Sequence, residues 1–302
     1  MNNFLRSMAA AVAVCTAGWA QADATFTDFS SYTLGQLPGG ADARTPGAYN
    51  QWWVPDNAAS FGEVRDSIGR SSSRGLVVGN RGNGNDGVID NVKTGRLNES
   101  AGESTTTAPN RVFESSYWFR TAMTSAPTEY RFRSETYGTD RTTFLGFQND
   151  GSGNLISIAF DMTAGGGFTQ HSVAASLTWG AWYRVVSEVI FVDGATNDIV
   201  NHRIFDEANA LVGSALGIGT WEQGQRVNGY NGGNLVTPDA VQFQARRSCS
   251  ATCTPLTSGA YDVAYVDDLG WRTFNQDIPE PGTLALAGLA LAFGVASRRR
   301  RS

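Results

Sequence analysis

Lysine is almost missing from this 302-residue sequence: Lys93 is the only lysine among 23 basic residues, and the rest are arginines. Histidine occurs twice, as His171 and His202, and cysteine three times. With so few of either, the spacing shows neither a Ser-His-Asp arrangement nor a Cys/His metal framework. Charged residues make up only 17 %. The segment from Thr25 to Asp277 carries 18 basic against 26 acidic residues. A net negative body without a basic patch argues against nucleic acid as a partner. No repeat of fixed period is present, which weighs against a propeller or β-helix. No glycine-rich loop opens a helix, so a phosphate cradle is excluded. The Glu-x-Asp-x-Glu strand pattern, which would aim alternate carboxylates into one cleft, is absent too.

Apolar residues reach 41 %, and glycine fills 35 positions. That suffices for a sizeable core joined by many turns, and it excludes a disordered chain. The N-terminus, MNNFLRSMAAAVAVCTAGWAQADA, has Arg6, an apolar run from Met8 to Ala17 and the small-x-small triplet Ala22-Asp23-Ala24. Residues 1–24 therefore form a secretory signal peptide, cleaved after Ala24 or Ala22. Cys15 lies inside the apolar run behind a valine, not at a lipoprotein site.

The C-terminus, residues 276–302, joins three parts: Pro279-Glu280-Pro281, an apolar run from Leu284 to Ala296, and Arg298, Arg299, Arg300 and Arg301. As a helix the apolar run spans about 20 Å, against about 30 Å of bilayer hydrocarbon. The arginines would hold that end on the cytoplasmic side. The two prolines deny a regular helix and leave an extended peptide at the membrane surface. These parts, in this order, resemble the PEP-CTERM sorting signal of Gram-negative bacteria. The resemblance implies recognition by an exosortase and cleavage near Pro-Glu-Pro. It also implies export across the inner membrane, transient anchoring there by the C-terminal helix, and a final place at the cell surface or in the exopolysaccharide matrix.

Between the two signals, residues 25–275 alternate apolar and polar positions. Phe113, Tyr117, Phe119 and Met123 share one face of a segment whose other face carries Glu114, Ser116 and Arg120. Ile156, Ile158, Phe160 and Met162 share a face of the next, and Tyr183, Val185, Val189 and Phe191 oppose Arg184 and Glu188. A period of two marks half-buried strands. Turn clusters such as NDGSGN and TAGGG separate them, and one helix is expected, around Phe205 to Val212. The fold expected is all-β: a single jelly-roll β-sandwich. The stretches FTDFSSYTLGQLPGG, LTWGAWYRVVSEVIF and AYDVAYVDDLGW resemble concanavalin A-like and laminin-G-like sandwiches. The likeness implies a fold and not a function.

No catalytic residue is assigned. RFRSETYG, from Arg131 to Gly138, with Gln170-His171, resembles the arginine and Gln-His elements of alginate-lyase jelly rolls, but the spacing differs and no tyrosine-lysine strand follows. Asp267 and Asp268, with Asp28, suit either a structural calcium or a solvated strand end. Neighbours in a strand point to opposite faces, so at most one of the pair faces any given site. The loop with Asn83, Asn85, Asp86 and Asp90 lacks the calcium-loop pattern and reads as turn chemistry. Cys249 and Cys253 are expected to close a five-residue disulfide loop in an oxidising compartment, contributing at most about 2 kcal/mol. Trp52, Trp53, Trp221 and Tyr230 lie in Gly/Asn-rich or Pro-flanked segments and are candidates for stacking on sugar rings. Trp179, Trp182 and Trp271 belong to the core. The sequence thus describes an exported, exosortase-processed surface or matrix protein, structural or glycan-associated, needing no cofactor. A polysaccharide-degrading enzyme on the same scaffold is the alternative.

Overall fold

Alternation of this kind satisfies itself by pairing strands. The computed structural model describes residues 23–37, 60–80, 90–94, 96–103, 109–138, 141–162, 166–194, 197–222, 224, 237–247 and 261–275. They hold β1 (Asp23–Thr27), β2 (Gly35–Gln36), β3 (Ser60–Arg65), β4 (Gly75–Asn80), β5 (Asp90–Lys93), β6 (Val112–Thr121), β7 (Tyr130–Tyr137) and β8 (Arg141–Asn149). They continue with β9 (Leu155–Met162), β10 (Phe168–Leu177), β11 (Trp182–Ile190), β12 (Ile199–Phe205), β13 (Leu211–Ile218), β14 (Ala240–Arg247) and β15 (Tyr261–Phe274). A nine-stranded sheet runs β13-β12-β11-β6-β15-β4-β3-β2, with β1 also on β15. A six-stranded sheet runs β10-β9-β8-β7-β14-β5. The pairings are antiparallel. This is the expected all-β sandwich.

An aromatic stack joins the two layers. Phe119 of β6 lies 4.2 Å from Phe147 of β8 and 4.8 Å from Phe132 of β7, centroid to centroid, both stacked. Phe243 of β14 extends the stack at 5.7 Å from Phe132. All four rings are fully buried. Such pairs contribute roughly 0.5–1.5 kcal/mol each beyond their burial. Beside them the Tyr117 hydroxyl donates to Ser134 Oγ across the layers at 2.5 Å, and burial raises its pKa. Trp271 and Trp182 are buried, and Trp179 packs half-buried against the core. Trp118 faces outward, under the Arg70 guanidinium at 3.7 Å.

Two expectations change. Phe205 to Val212 is a hairpin and not a helix: Phe205 ends β12 and Leu211 begins β13. Asp206 Oδ1 accepts from the Ala210 N–H, the Asn209 N–H is donated to the Asp206 carbonyl, and Asn209 takes φ 66°. Short polar side chains that bond their own backbone favour turns over helix. In β9, Ile156, Ile158, Phe160 and Met162 do share a face, but it is the outer one. Leu155 and Ala159 enter the core instead.

His202 is buried against the sheet interior, where Nδ1 shares a hydrogen bond with Ser187 Oγ at 2.9 Å while Nε2 has no partner. Burial lowers its pKa to about 3, below the value of about 6.5 in an unfolded chain. Between those values the unfolded state binds the extra proton, so this group removes stability as pH falls from about 6.5 toward 3. Asp198 and Asp239, both raised to about 6 by burial, act in the opposite sense. Comparison with His202→Gln isolates the histidine. The variant should gain on wild type by up to about 1.4 kcal/mol per pH unit between about pH 6 and the folded-state value of about 3, read from urea midpoints. Parallel pH profiles for the two proteins would contradict this.

Candidate functional site

The core contacts of β7 dictate what its other side shows. Tyr130, Phe132 and Ser134 are buried inward, so the pleat turns Arg131, Arg133 and Glu135 to the outer face of the six-stranded sheet. Register then brings in partners remote in sequence. One row across that face reads Gln170, Phe160, Phe144, Glu135 and Gln242. The next reads Ile158, Gly146, Arg133 and Gln244, and a third reads Ile156, Gln148 and Arg131. The face is rich in amides and guanidinium groups, which suit the hydroxyls and acid groups of sugars.

Arg133 is the centre of this face. Its guanidinium carbon lies 4.6 Å over the Phe144 ring. Burial pushes its pKa down to about 10, with Arg131 and Arg141 adding repulsion and Glu135 opposing them. No ion pair or side-chain hydrogen bond joins the guanidinium to a described residue. Beside it, Gln244 is buried and its Oε1 has no partner. Glu135, the carboxylate in these rows, is already engaged. It accepts from Gln242 Nε2 and lies 3.4 Å from Arg141 Nε. Gly146, opposite Arg133, contributes no side chain, so the sheet is recessed there. A Cβ at that position would meet Ile158 and Phe144 at ordinary distances of 3.5 and 3.7 Å, so the recess can be filled without strain.

One side of this face is an aromatic wall. Phe144 packs on Phe160 at 5.0 Å and edge-on against Trp221 at 5.5 Å, and Trp221 meets Phe168 at 5.0 Å. The Trp221 indole N–H donates to the Phe160 carbonyl at 3.1 Å. Trp221, expected from sequence to stack on a sugar, is only 7 % exposed. Phe168, which the sequence reading passed over, is 52 % exposed. The accessible ring of this wall is therefore Phe168. Its position directly after a Gly-rich turn was the available signal.

The other predicted residues divide. Trp52, Trp53, Tyr230, Cys249, Cys253, Pro279, Glu280, Pro281 and Arg298 to Arg301 lie outside the described residues, as do Asn83, Asn85 and Asp86. Asp28, Asp267 and Asp268 do not converge. Asp267 Oδ2 accepts from the Arg70 N–H at 2.7 Å and from Ser73 Oγ at 2.9 Å, and Oδ1 accepts from the Asp268 N–H. Asp268 pairs with Arg70 at 3.4 Å, and exposed Asp28 accepts from the Ser30 N–H and hydroxyl. Protein donors occupy the carboxylate oxygens that a calcium ion would need. The carboxylates that do gather among the described residues are Glu103, Asp198 and Glu222, within 4.8 Å of one another. Asp198 Oδ1 accepts from the Val192 N–H, Oδ2 accepts from Thr220 Oγ1, and Glu103 Oε2 accepts from the Gly194 N–H. Oxygen donors so placed could hold a hard cation.

The pair Gln170-His171 is split by the pleat. Gln170 stands on the outer row, whereas His171 is level with core residue Ala159 and bonds Asp161 Oδ2 through Nε2 at 3.0 Å. Neither histidine therefore belongs to the Arg133 face.

Comparison with known proteins bears on the C-terminus. Residues 277–301 match the PEP-CTERM protein-sorting motif. The chain carries a PEP-CTERM sorting signal. That signal implies an exported protein, held transiently at the membrane and processed by an exosortase. Among the described residues no helix is long and apolar enough to cross a membrane. The chain matches no curated protein sequence. The body aligns at low identity with several solved structures. The CBM2 module of an evolved Dit from Lactobacillus casei BL23 phage J-1 aligns with TM-score 0.46 and 9 % identity, over 85 % of this chain and 99 % of that one. The PL-14 alginate lyase of the marine Aplysia kurodai gives 0.44 and 13 %, over 81 % and 99 %. An alginate lyase solved with alginate trisaccharide gives 0.43 and 12 %, over 83 % and 98 %.

Proposed function

We propose that this exported protein works in the extracellular matrix by holding a carboxylated polysaccharide on the outer face of its six-stranded sheet. Arg133 supports this most directly: its half-buried guanidinium makes no ion pair or side-chain hydrogen bond with a described residue. A partly desolvated guanidinium whose donors are unpaired costs free energy, and a uronate group would supply both the charge and the two acceptors that match its fork. Gln244 and Gln148 flank it with amides for sugar hydroxyls, and Phe168 offers a ring for a sugar face.

Binding suits the face better than hydrolysis. Glycosidases commonly place two carboxylates on either side of the scissile bond. The described rows hold Glu135 alone, tied to Arg141 and Gln242. Both histidines lie off the face, so it offers neither imidazole as a base for elimination.

Arg133→Ala should weaken binding of the exported protein to a polyuronate by about 10- to 100-fold, the loss of one hydrogen-bonded charge of about 1.5–3 kcal/mol. Arg133→Lys should keep part of the affinity. Calorimetry or affinity electrophoresis reads both, and an Arg133→Ala protein that binds as wild type would overturn the proposal. Separately, replacing Pro279, Glu280 and Pro281 by alanine should leave the unprocessed precursor in the inner membrane on immunoblots of fractionated cells. Unchanged processing would remove the sorting signal from the account.

A further inference from the structure

Among the described residues five strands stand at sheet margins, and four of them, the five-residue β1 included, are short or irregular in ways that natural sheets use against edge-to-edge pairing. β2 has two residues and β5 four. β10 is polar along Thr169 to Ser172 and carries two register shifts against β9. β13 differs. It is eight residues long, it ends the nine-stranded sheet, and among the described residues no strand pairs with its outer side. From Ala208 to Trp221 the sequence has no charged residue and no proline. Leu211, Val212 and Leu216 are 56, 39 and 55 % exposed.

We infer that β13 pairs antiparallel with β13 of a second copy of this chain, joining two nine-stranded sheets edge to edge. Three observations favour a second copy as the occupant. The body carries a clear excess of acidic residues, so two copies repel except along a neutral margin, and this is a long neutral one. The strand is also self-complementary. Ala215 sits opposite buried His202 and faces the core, which turns Ser214 and Leu216 outward. A two-fold axis through Ser214 then sets Val212 of each copy against Leu216 of the other, and the two Ser214 hydroxyls against each other. Finally, the margin is two layers thick. Gly213 lies so close to β10 that a Cβ there would stand 2.5 Å from the Val173 carbonyl oxygen. The contact is therefore braced from beneath along a strand about 27 Å long. An edge of this size belongs with weak, concentration-dependent interfaces. Pairing would carry two Arg133 faces on one particle and strengthen attachment to a polymer.

Sedimentation velocity of the exported protein over a rising concentration series tests this. Wild type should pass from monomer to dimer. Leu216→Lys should shift that midpoint at least tenfold upward, and Leu34→Lys, a charge placed on another exposed leucine, should leave it unchanged. Hydrogen exchange should show the amides of Leu211–Ile218 slowing as wild type is concentrated. A wild type that stays monomeric at its highest soluble concentration would overturn the inference. So would a Leu216→Lys variant that dimerises like wild type, or a Leu34→Lys variant that loses dimerisation equally.

Discussion

Phe119, held between Phe132 and Phe147 at less than 5 Å from each, is the contact on which the rest of the sandwich depends. It is contributed by β6, at the middle of the nine-stranded sheet, and its partners by β7 and β8 of the other. With Phe132 pinned inward, the period of two leaves Arg131 and Arg133 no position but the outer face. With Phe147 pinned inward, Gly146 and Gln148 follow them outward. The core thus sets not only the stacking of the layers but also which polar groups become neighbours on the far side.

The same residue type meets different fates on the two outer faces. On the nine-stranded sheet, Arg65 is tied to Asp262 and Glu63, and Arg272 to Glu114. Arg120 lies 4.8 Å from the Trp182 ring and 4.9 Å from the Tyr265 ring, and donates to the Ile68 carbonyl. Those arginines are held within the chain, while Arg184 of the same sheet lies over the Phe205 ring at 4.6 Å with its Nε unpartnered. On the six-stranded sheet Glu135 answers Arg141, while Arg133 lies over the Phe144 ring and pairs with no carboxylate among the described residues. Structural arginines find acceptors inside the protein, and one that does not is available for an acceptor from outside.

How much of this was legible in the sequence varies by element. Strands β6 and β11 were readable because one face is apolar and the other charged. β9 was readable as a strand but not in its orientation: Leu155 and Ala159 compete with Ile156, Ile158 and Phe160, and only the register with Leu145 of β8 decides which side is the core. The turn at Asp206–Ala210 was hidden because its residues also have acceptable helix propensity, and a side-chain-to-backbone bond outweighed it. RFRSETYG stood out in the sequence for its arginines. Gln242 and Gln244 did not, because nothing local shows that β14 lies beside β7. Asp28, Asp267 and Asp268 looked like cation ligands by residue type, and the backbone and hydroxyl donors that occupy Asp267 come from a loop nearly 200 residues earlier.

The central claim is that the unpaired charge on the six-stranded sheet is there for a carboxylate. Calorimetric titration of the exported protein with one polyuronate, before and after chemical reduction of its carboxyl groups to alcohols, tests it most directly. The account predicts binding to the native polymer that weakens with added salt, and at least tenfold weaker binding to the reduced polymer. Equal affinity for the two forms would contradict it.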